Sequence, residues 1–291
     1  SGPGATNCVT PVRDCMADST PIVVICGQVP TAAIGSDAFQ EAPISNIMGA
    51  CAKHVFLVTD PERLEATVRT AFEIARSGRP GPVVIDVPKD VQNWSGPYLG
   101  QGVLPIPGYR ARGRQIESRR LSDKQCAHFF ELLGKSRRPL IYAGGGVVNA
   151  NASMAMRAFA DRFGIPVVTT LMGIGACDTT SELSLHMLGM HGTAFANYAV
   201  EDADFIIALG ARFDDRVAGV PERFARNANA IAHFDVDHSE IDKVKRVQWS
   251  HVGLMPQALK TLTEYGAGAG FAPDYSEWHA HCAEVKRVYA M

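Results

Sequence analysis

A chain of 291 residues, 46% hydrophobic and 20% charged, has the profile of a water-soluble globular protein with room for two domains. Its formal net charge of −2 gives no electrostatic case for binding nucleic acid or an anionic membrane. No apolar run is long enough to cross a bilayer, and no basic stretch followed by an apolar core opens the chain as a signal peptide would. The seven cysteines, at positions 8, 15, 26, 51, 126, 177 and 282, form no C-x-x-C pair. A zinc site is therefore not expected, and reduced thiols in a cytoplasmic protein are the simplest account.

In chain order, Ser1-Gly-Pro-Gly4 precedes a predicted helix beginning near Ala5 or Thr6. Pro21 to Cys26 predicts a buried strand. Leu64, Val68, Ala71, Phe72 and Ala75 recur at helical spacing, so a helix is predicted over Pro61 to Arg76, with Pro61 in its first turn and Gly78 at its stop. Pro82 to Val87 is the next strand, which makes a right-handed βαβ unit in a mainly parallel sheet. From Gln92 to about Arg120 the chain becomes rich in proline, glycine and arginine and reads as a linker. In the second block, Ser122 caps a predicted helix running to Leu133. Strands are predicted at Pro139–Ala143, Ile165–Thr170, Asp204–Leu209 and Ala230–Val236. Helices are predicted near 152–163, 194–200 and 256–265. That alternation describes a complete doubly wound domain. Gly266 to Pro273 reads as another linker, and the remaining tail, with Trp278 and His281, as a helix that leads to no further element.

Open parallel sheets bind ligands at the carboxyl ends of their strands. Three predicted strands end suggestively: in Gly144-Gly-Gly146, in Gly210-Ala-Arg212, and in Asp235-Val-Asp237. Missing side chains allow close approach, an acid at a strand end can accept hydrogen bonds from ribose hydroxyls, and Arg212 and Arg216 can fork onto phosphate. The same residues also fit plain structural roles. Three glycines serve equally as a tight turn, Asp214 and Asp215 can neutralise Arg212 and Arg216, and Asp235 can cap a turn. The G-x-G-x-x-G fingerprint is absent, which argues against an ordinary NAD site. In the first block, Asp37-Ala-Phe-Gln-Glu41 mixes an aromatic with polar groups in a predicted loop. His54 by itself reads as a packed or surface histidine, and no set of residues makes a nucleophile–base–acid triad.

In order and spacing, several segments together resemble the large subunit of acetolactate synthase (acetohydroxyacid synthase), a thiamine-diphosphate and FAD enzyme. They are Ser1-Gly-Pro-Gly-Ala-Thr-Asn7, Gly27-Gln-Val-Pro30, Asp37 to Glu41, Gly78-Arg-Pro-Gly-Pro82, Leu171-Met-Gly173, His186 to Gly192 and Gly210-Ala-Arg-Phe-Asp-Asp-Arg216. The match runs from Ser1 to about Lys245 and continues weakly to the end. It implies an α/β chain made of a partial pyrimidine-binding parallel-sheet domain at 1–93, a linker at 94–120, a doubly wound (Rossmann-like) FAD-type central domain at 121–266, and a linker or tail at 267–291.

The resemblance also implies which residues matter. Flavin contacts would fall on Phe39, Arg112, Gly144, Gly145, Thr170, Leu171, Met172, Leu188, Gly189, Met190, His191, Gly210, Arg212, Asp214, Arg216, Val217, Asp235, Val236 and Glu240. In that family the flavin's role is largely structural. A substrate channel would be lined by Pro30, Phe39, Gln40, Lys53, Met190 and Arg216, with Arg216 steering the carboxylate of a 2-keto acid. Expected partners are 2-keto acids, a homodimeric or tetrameric assembly and a regulatory small subunit, with thiamine diphosphate and Mg2+ in the full-length parent. The family's catalytic glutamate is expected just before Ser1 and its diphosphate- and magnesium-binding domain after Met291. No metal site is expected in the chain, which should be inactive alone as an internal piece. Val252-Gly-Leu254 departs from the family's usual Gly-Asp and weakens one adenine-side contact. The alternatives are another thiamine-diphosphate enzyme, of glyoxylate carboligase or pyruvate oxidase type, or a non-catalytic nucleotide-binding module.

Overall fold

The computed structural model describes residues 1–98, 100 and 102–289. They form two units, Ser1–Gly113 and Arg114–Met291, each α/β with a parallel sheet. In the first unit β1 (Val23–Gln28), β2 (His54–Leu57) and β3 (Val83–Pro88) lie in the order β1-β3-β2. The central strand β3 is buried at all six positions, since strands flank it and helices cover both faces. Its side chains alternate between two clusters. Val83, Ile85 and Val87 meet Ala71, Ile74 and Ala75 of the helix Leu64–Arg76, while Val84 meets Ala5, Val12, Ile44 and Met48 from three helices on the other face. Asp86, 1% exposed, accepts from Gln28 Nε2 at 3.0 Å, and burial pushes its carboxyl above the usual range. The edge strands β1 and β2 leave Ile25 and Leu57 exposed.

Several elements differ from the sequence reading for local reasons. The helix expected from Pro61 opens as a separate 3-10 turn, Pro61–Arg63, capped by Asp60, whose carboxylate accepts from Glu62 N at 3.0 Å. It ends on Ser77 in an extended conformation, one residue before Gly78 takes φ +54°. The stretch read as a linker contains the helix Tyr109–Ser118, in which no residue is buried, so it carried no apolar period to read. Arg110 on that helix pairs with Glu73 at 2.9 Å.

In the second unit β4 (Pro139–Ala143), β5 (Val167–Thr169), β6 (Ser184–Met187), β7 (Phe205–Leu209), β8 (Ala230–Asp235) and β9 (Trp249–Val252) are all parallel, in the order β6-β5-β4-β7-β8-β9. The chain winds outward from β4 to β6, returns, and winds outward on the other side. Strand order therefore reverses between β4 and β7. Ser122 forms a capping box with Gln125 at the start of the helix Asp123–Lys135. On that helix Phe129, 0% exposed, meets Phe130, Phe159, Phe205, Phe234 and Trp249 edge-on, with centroids 5.3–6.1 Å away. The helix expected to end at Tyr265 continues to Gly268. The tail forms the helix Ser276–Tyr289, and Tyr275, Trp278 and Cys282 are buried in the unit's core. All seven cysteines are free thiols.

Candidate functional site

The carboxyl ends of β4, β5, β6, β7 and β8 converge through the backbone. Gly144 N donates to Leu209 O at 2.9 Å and Gly146 N to Gly210 O at 3.1 Å. Thr170 N donates to Ala143 O at 2.9 Å, Leu188 N to Thr169 O at 3.0 Å, Met190 N to Arg216 O at 2.8 Å, and Gly210 N to Phe234 O at 2.8 Å. These contacts join the segments 144–146, 170–172, 188–190 and 210–217 and the end of β8 on one edge of the sheet. The glycines are required by that closeness. A Cβ on Gly144 would lie 2.1 Å from Gly210 O, and one on Gly189 would lie 2.8 Å from Arg216 O. Gly210 itself takes φ +56°.

The side chains at this edge fall into three kinds. Leu171, Met172 and Met190 are exposed apolar groups, at 69%, 46% and 63%. Arg216 is exposed, with Nε 3.9 Å from Asp215 Oδ2. Arg212 and Val217 are half-buried, as is Asp214, which accepts from Arg216 N at 3.0 Å. Asp235 closes β8 and accepts from Asp237 N at 2.8 Å, followed by half-buried Val236. Glu240 is 4% exposed and receives Lys243 Nζ at 3.0 Å. His191 is exposed beside them in sequence. An apolar platform, paired cations and an acid at a strand end suit a flat ring system joined to a charged, ribose-bearing tail.

Two contributors escape a sequence reading. Asn197, on the helix Ala194–Asp202, accepts from Gly189 N at 2.8 Å and donates to Gly189 O at 3.0 Å, so its amide clasps the glycine from both sides. His233, inside β8, has Nε2 2.9 Å from Ala211 O. Asn197 sits at an ordinary helical position and His233 in an ordinary strand. Neither carries a pattern signal.

The remaining candidates belong to the first unit. Pro30, Phe39 and Gln40 are exposed, Phe39 at 90%. Asp37 and Gln40 take φ +58° and +63°, and Glu41 fixes their loop by accepting from Gly35 N and Ala38 N. Those hydrogen bonds hold the Glu41 carboxyl below its ordinary range. A Cβ on Gly2 would strike Gln40 O at 2.1 Å, which explains the glycine in Ser1-Gly-Pro-Gly4. Arg112 is exposed on the helix Tyr109–Ser118. Lys53 Nζ donates to Ile74 O and Ser77 O at the end of the helix Leu64–Arg76, and burial lowers its pKa to about 8. His54 stacks edge-on against Phe56 at 4.4 Å, a packed histidine. Among the described residues no group of three or more His, Cys, Asp or Glu is placed to hold a metal ion, and no helix is long and apolar enough to cross a membrane.

The family description "Thiamine pyrophosphate enzyme, central domain" matches residues 126–262, and "Thiamine pyrophosphate enzyme, N-terminal TPP binding domain" matches residues 1–48. The chain belongs to the thiamine pyrophosphate enzyme family. Among curated relatives it is similar to "Acetolactate synthase 1, chloroplastic" of Nicotiana tabacum, 44% identical over 98% of this chain and 42% of that protein. It is likewise 44% identical to "Acetolactate synthase large subunit" of Corynebacterium glutamicum, over 96% of this chain and 44% of that protein. The chain spans about two-fifths of the length of the curated relatives it matches. Every second-unit candidate, from Gly144 to Glu240, lies within the thiamine pyrophosphate enzyme central-domain match.

Three buried or half-buried histidines are expected to lower the stability of this chain in acid. Burial lowers the pKa of His54 and His233, and burial beside the Arg119 guanidinium lowers that of His251 to about 4. Each folded pKa lies below the ordinary 6.5, so between the two values the unfolded chain binds more protons. Their stabilisation is complete above pH 6.5 and declines as pH falls below it, for His251 until about pH 4. Asp86, with its raised pKa, acts in the opposite direction. Urea midpoints followed by tryptophan emission should fall from pH 7 to pH 4.5, and His251→Gln should flatten the curve. A midpoint constant over that range contradicts the expectation.

Proposed function

We propose that this chain carries part of the pyrimidine-binding domain and the Rossmann-like FAD-binding central domain of an acetolactate synthase. The full-length enzyme would join pyruvate to a second pyruvate or to 2-ketobutyrate with loss of carbon dioxide, in branched-chain amino-acid biosynthesis. The observation that carries this reading is the 44% identity to acetolactate synthases over 98% of the chain. The strand order β6-β5-β4-β7-β8-β9 supports it, being the arrangement in which dinucleotides lie across the crevice where the order reverses.

The second-unit edge fits FAD by the chemistry of its side chains. Leu171, Met172 and Met190 offer apolar surface to a ring. Arg212 and Arg216 would hold the diphosphate, and Asp235 would accept from ribose. Gly144, Gly145 and Gly210 keep the backbone low enough for close approach. Thiamine diphosphate supplies the electron sink for decarboxylation when bound. The candidates among this chain's own residues for guiding a 2-keto acid are Met190 and Arg216 in the second unit and, separately, Pro30, Phe39, Gln40 and Lys53 in the first. In the full protein we place a homodimer or tetramer in the cytoplasm or a plastid.

FAD titration of the 291-residue chain by quenching of flavin fluorescence tests the reading. FAD should bind more tightly than NAD, and Arg212→Ala and Arg216→Ala should each weaken it by about 1.5–3 kcal/mol. NAD binding as tightly as FAD, or both variants binding FAD like the parent, would overturn it.

A further inference from the structure

The loop from Gly210 to Arg216 has a backbone that sequence-local forces disfavour. Gly210 takes φ +56°, and Phe213 takes φ +55°, a left-handed conformation in which its Cβ is crowded. Phe213 is nonetheless 2% exposed, its ring turned inward between Tyr142, Phe224 and His233, with centroids 5.3, 5.9 and 5.3 Å away. His233 therefore meets the loop twice. Its ring stands edge-on to Phe213 at 86°, and its Nε2 lies 2.9 Å from Ala211 O.

A carbonyl oxygen only accepts, so Nε2 carries the proton and donates it. Nδ1 is then a bare acceptor, and it has no hydrogen-bond partner. The ring is 1% exposed and neutral, since protonation would leave a second N–H buried without an acceptor. A hydrophobic residue would fill this place in β8 without leaving an orphaned nitrogen. The donor at Nε2 is what distinguishes histidine here.

Of the loop's other side chains, Ala211 is buried, Arg212 and Asp214 are half-buried, and Asp215 and Arg216 are exposed. Arg216 is exposed at 70%, its amide is held by Asp214, and its carbonyl receives Met190 N. Fixing residues 211 and 213 from below therefore fixes where 212, 214 and 216 project. We propose that His233 is a positioning residue: as the neutral Nε2–H tautomer it holds Ala211 and Phe213 so that the loop presents Arg212 and Arg216 to an anionic dinucleotide. The ligand half of this statement rests on the FAD reading above. The loop half does not.

The test uses the 291-residue chain with His233→Leu, His233→Asn and His233→Gln. Gln places a side-chain amide N–H near the position of Nε2. Asn reaches only to the position of Nδ1, and Leu has no donor. Hydrogen exchange without FAD is read on residues 210–219, with 139–143 in β4 as the reference. Leu and Asn should speed exchange in the loop about ten-fold and weaken FAD by a similar factor, whereas Gln stays close to the parent in both. Exchange in β4 should not change. If Leu does not fold, the Asn and Gln pair decides. Equal loop exchange in all proteins, loss in Gln as great as in Asn, or failure of Gln to fold would each overturn the proposal. If the parent binds no FAD, the functional reading fails, while the exchange comparison still decides the role of His233.

Discussion

Gly144→Ala is expected to destabilise the second unit by at least about 3 kcal/mol, the upper range for overpacking of a filled interior. The added methyl would lie 2.1 Å from Gly210 O, 2.7 Å from Ala211 Cα and 2.8 Å from Gly210 C. All three are backbone atoms of the strand-end segment hydrogen-bonded to β4, so no side chain can rotate out of the way. Gly144 has φ −96°, which alanine adopts freely, so the whole cost is steric. The ends of β4 and β7 must part, breaking Gly144 N to Leu209 O and Gly146 N to Gly210 O. Gly268→Ala is the control. It ends the helix Met255–Gly268 with nothing within 4 Å of the added methyl, and it should gain up to about 1 kcal/mol from helix propensity. Thermal unfolding followed at Trp249 and Trp278 measures both. A Gly144→Ala protein melting with the parent would show that the two strand ends are not packed as described.

The contrast between these glycines shows what the sequence could reveal. Gly144-Gly-Gly146 follows the apolar run Pro139–Ala143 directly, so strand and glycine turn punctuate each other, and β4 has the boundaries expected of it. Long, fully buried strands such as β3, β7 and β8 are legible as continuous apolar runs bounded by turn residues. The strands that escaped, β2, β6 and β9, are four residues each and lie away from the middle of their sheets. His54-Val-Phe-Leu57 has one face half-buried and an exposed end, and Trp249-Ser-His-Val252 hides only alternate residues. Two-residue faces give no period to detect. The site divides along the same line. Residues needed for backbone closeness, such as Gly189 and Gly210, betray themselves as glycines after apolar runs. Asn197 and His233 act through one or two hydrogen bonds to backbone 8 and 22 residues earlier, and no sequence pattern marks those pairings. Lys53 makes the same point: only the fold shows that its ammonium donates to Ile74 O and Ser77 O at the end of the helix Leu64–Arg76.

Trp278→Ala should cost the second unit about 3–5 kcal/mol, the range for deleting a large buried aromatic. This is a strong claim for a segment that reads as a tail. Trp278 is 2% exposed, and its Nε1 donates to Pro139 O at 3.0 Å, at the very start of β4. Its ring also stacks on His281 at 5.4 Å and 14°, and His281 Nε2 lies 2.8 Å from Asp202 Oδ2 at the end of the helix Ala194–Asp202. Trp278 thus ties the helix Ser276–Tyr289 to β4, and His281, stacked on it, ties the helix to Asp202. Trp278→Phe separates the two contributions. It keeps most of the apolar contact and removes the indole N–H, so about 1–2 kcal/mol should be lost, that of a buried hydrogen bond and a small cavity. Tyr289→Ala, at a 44% exposed position on the same helix, should change stability by less than about 1 kcal/mol. Urea unfolding of the three variants, followed by circular dichroism, gives the comparison. If Trp278→Ala unfolds at the parent's midpoint, residues 276–289 are not part of the second unit's cooperative core. The graded order Ala, then Phe, then parent would show that they are, and that the indole N–H acts beyond its bulk.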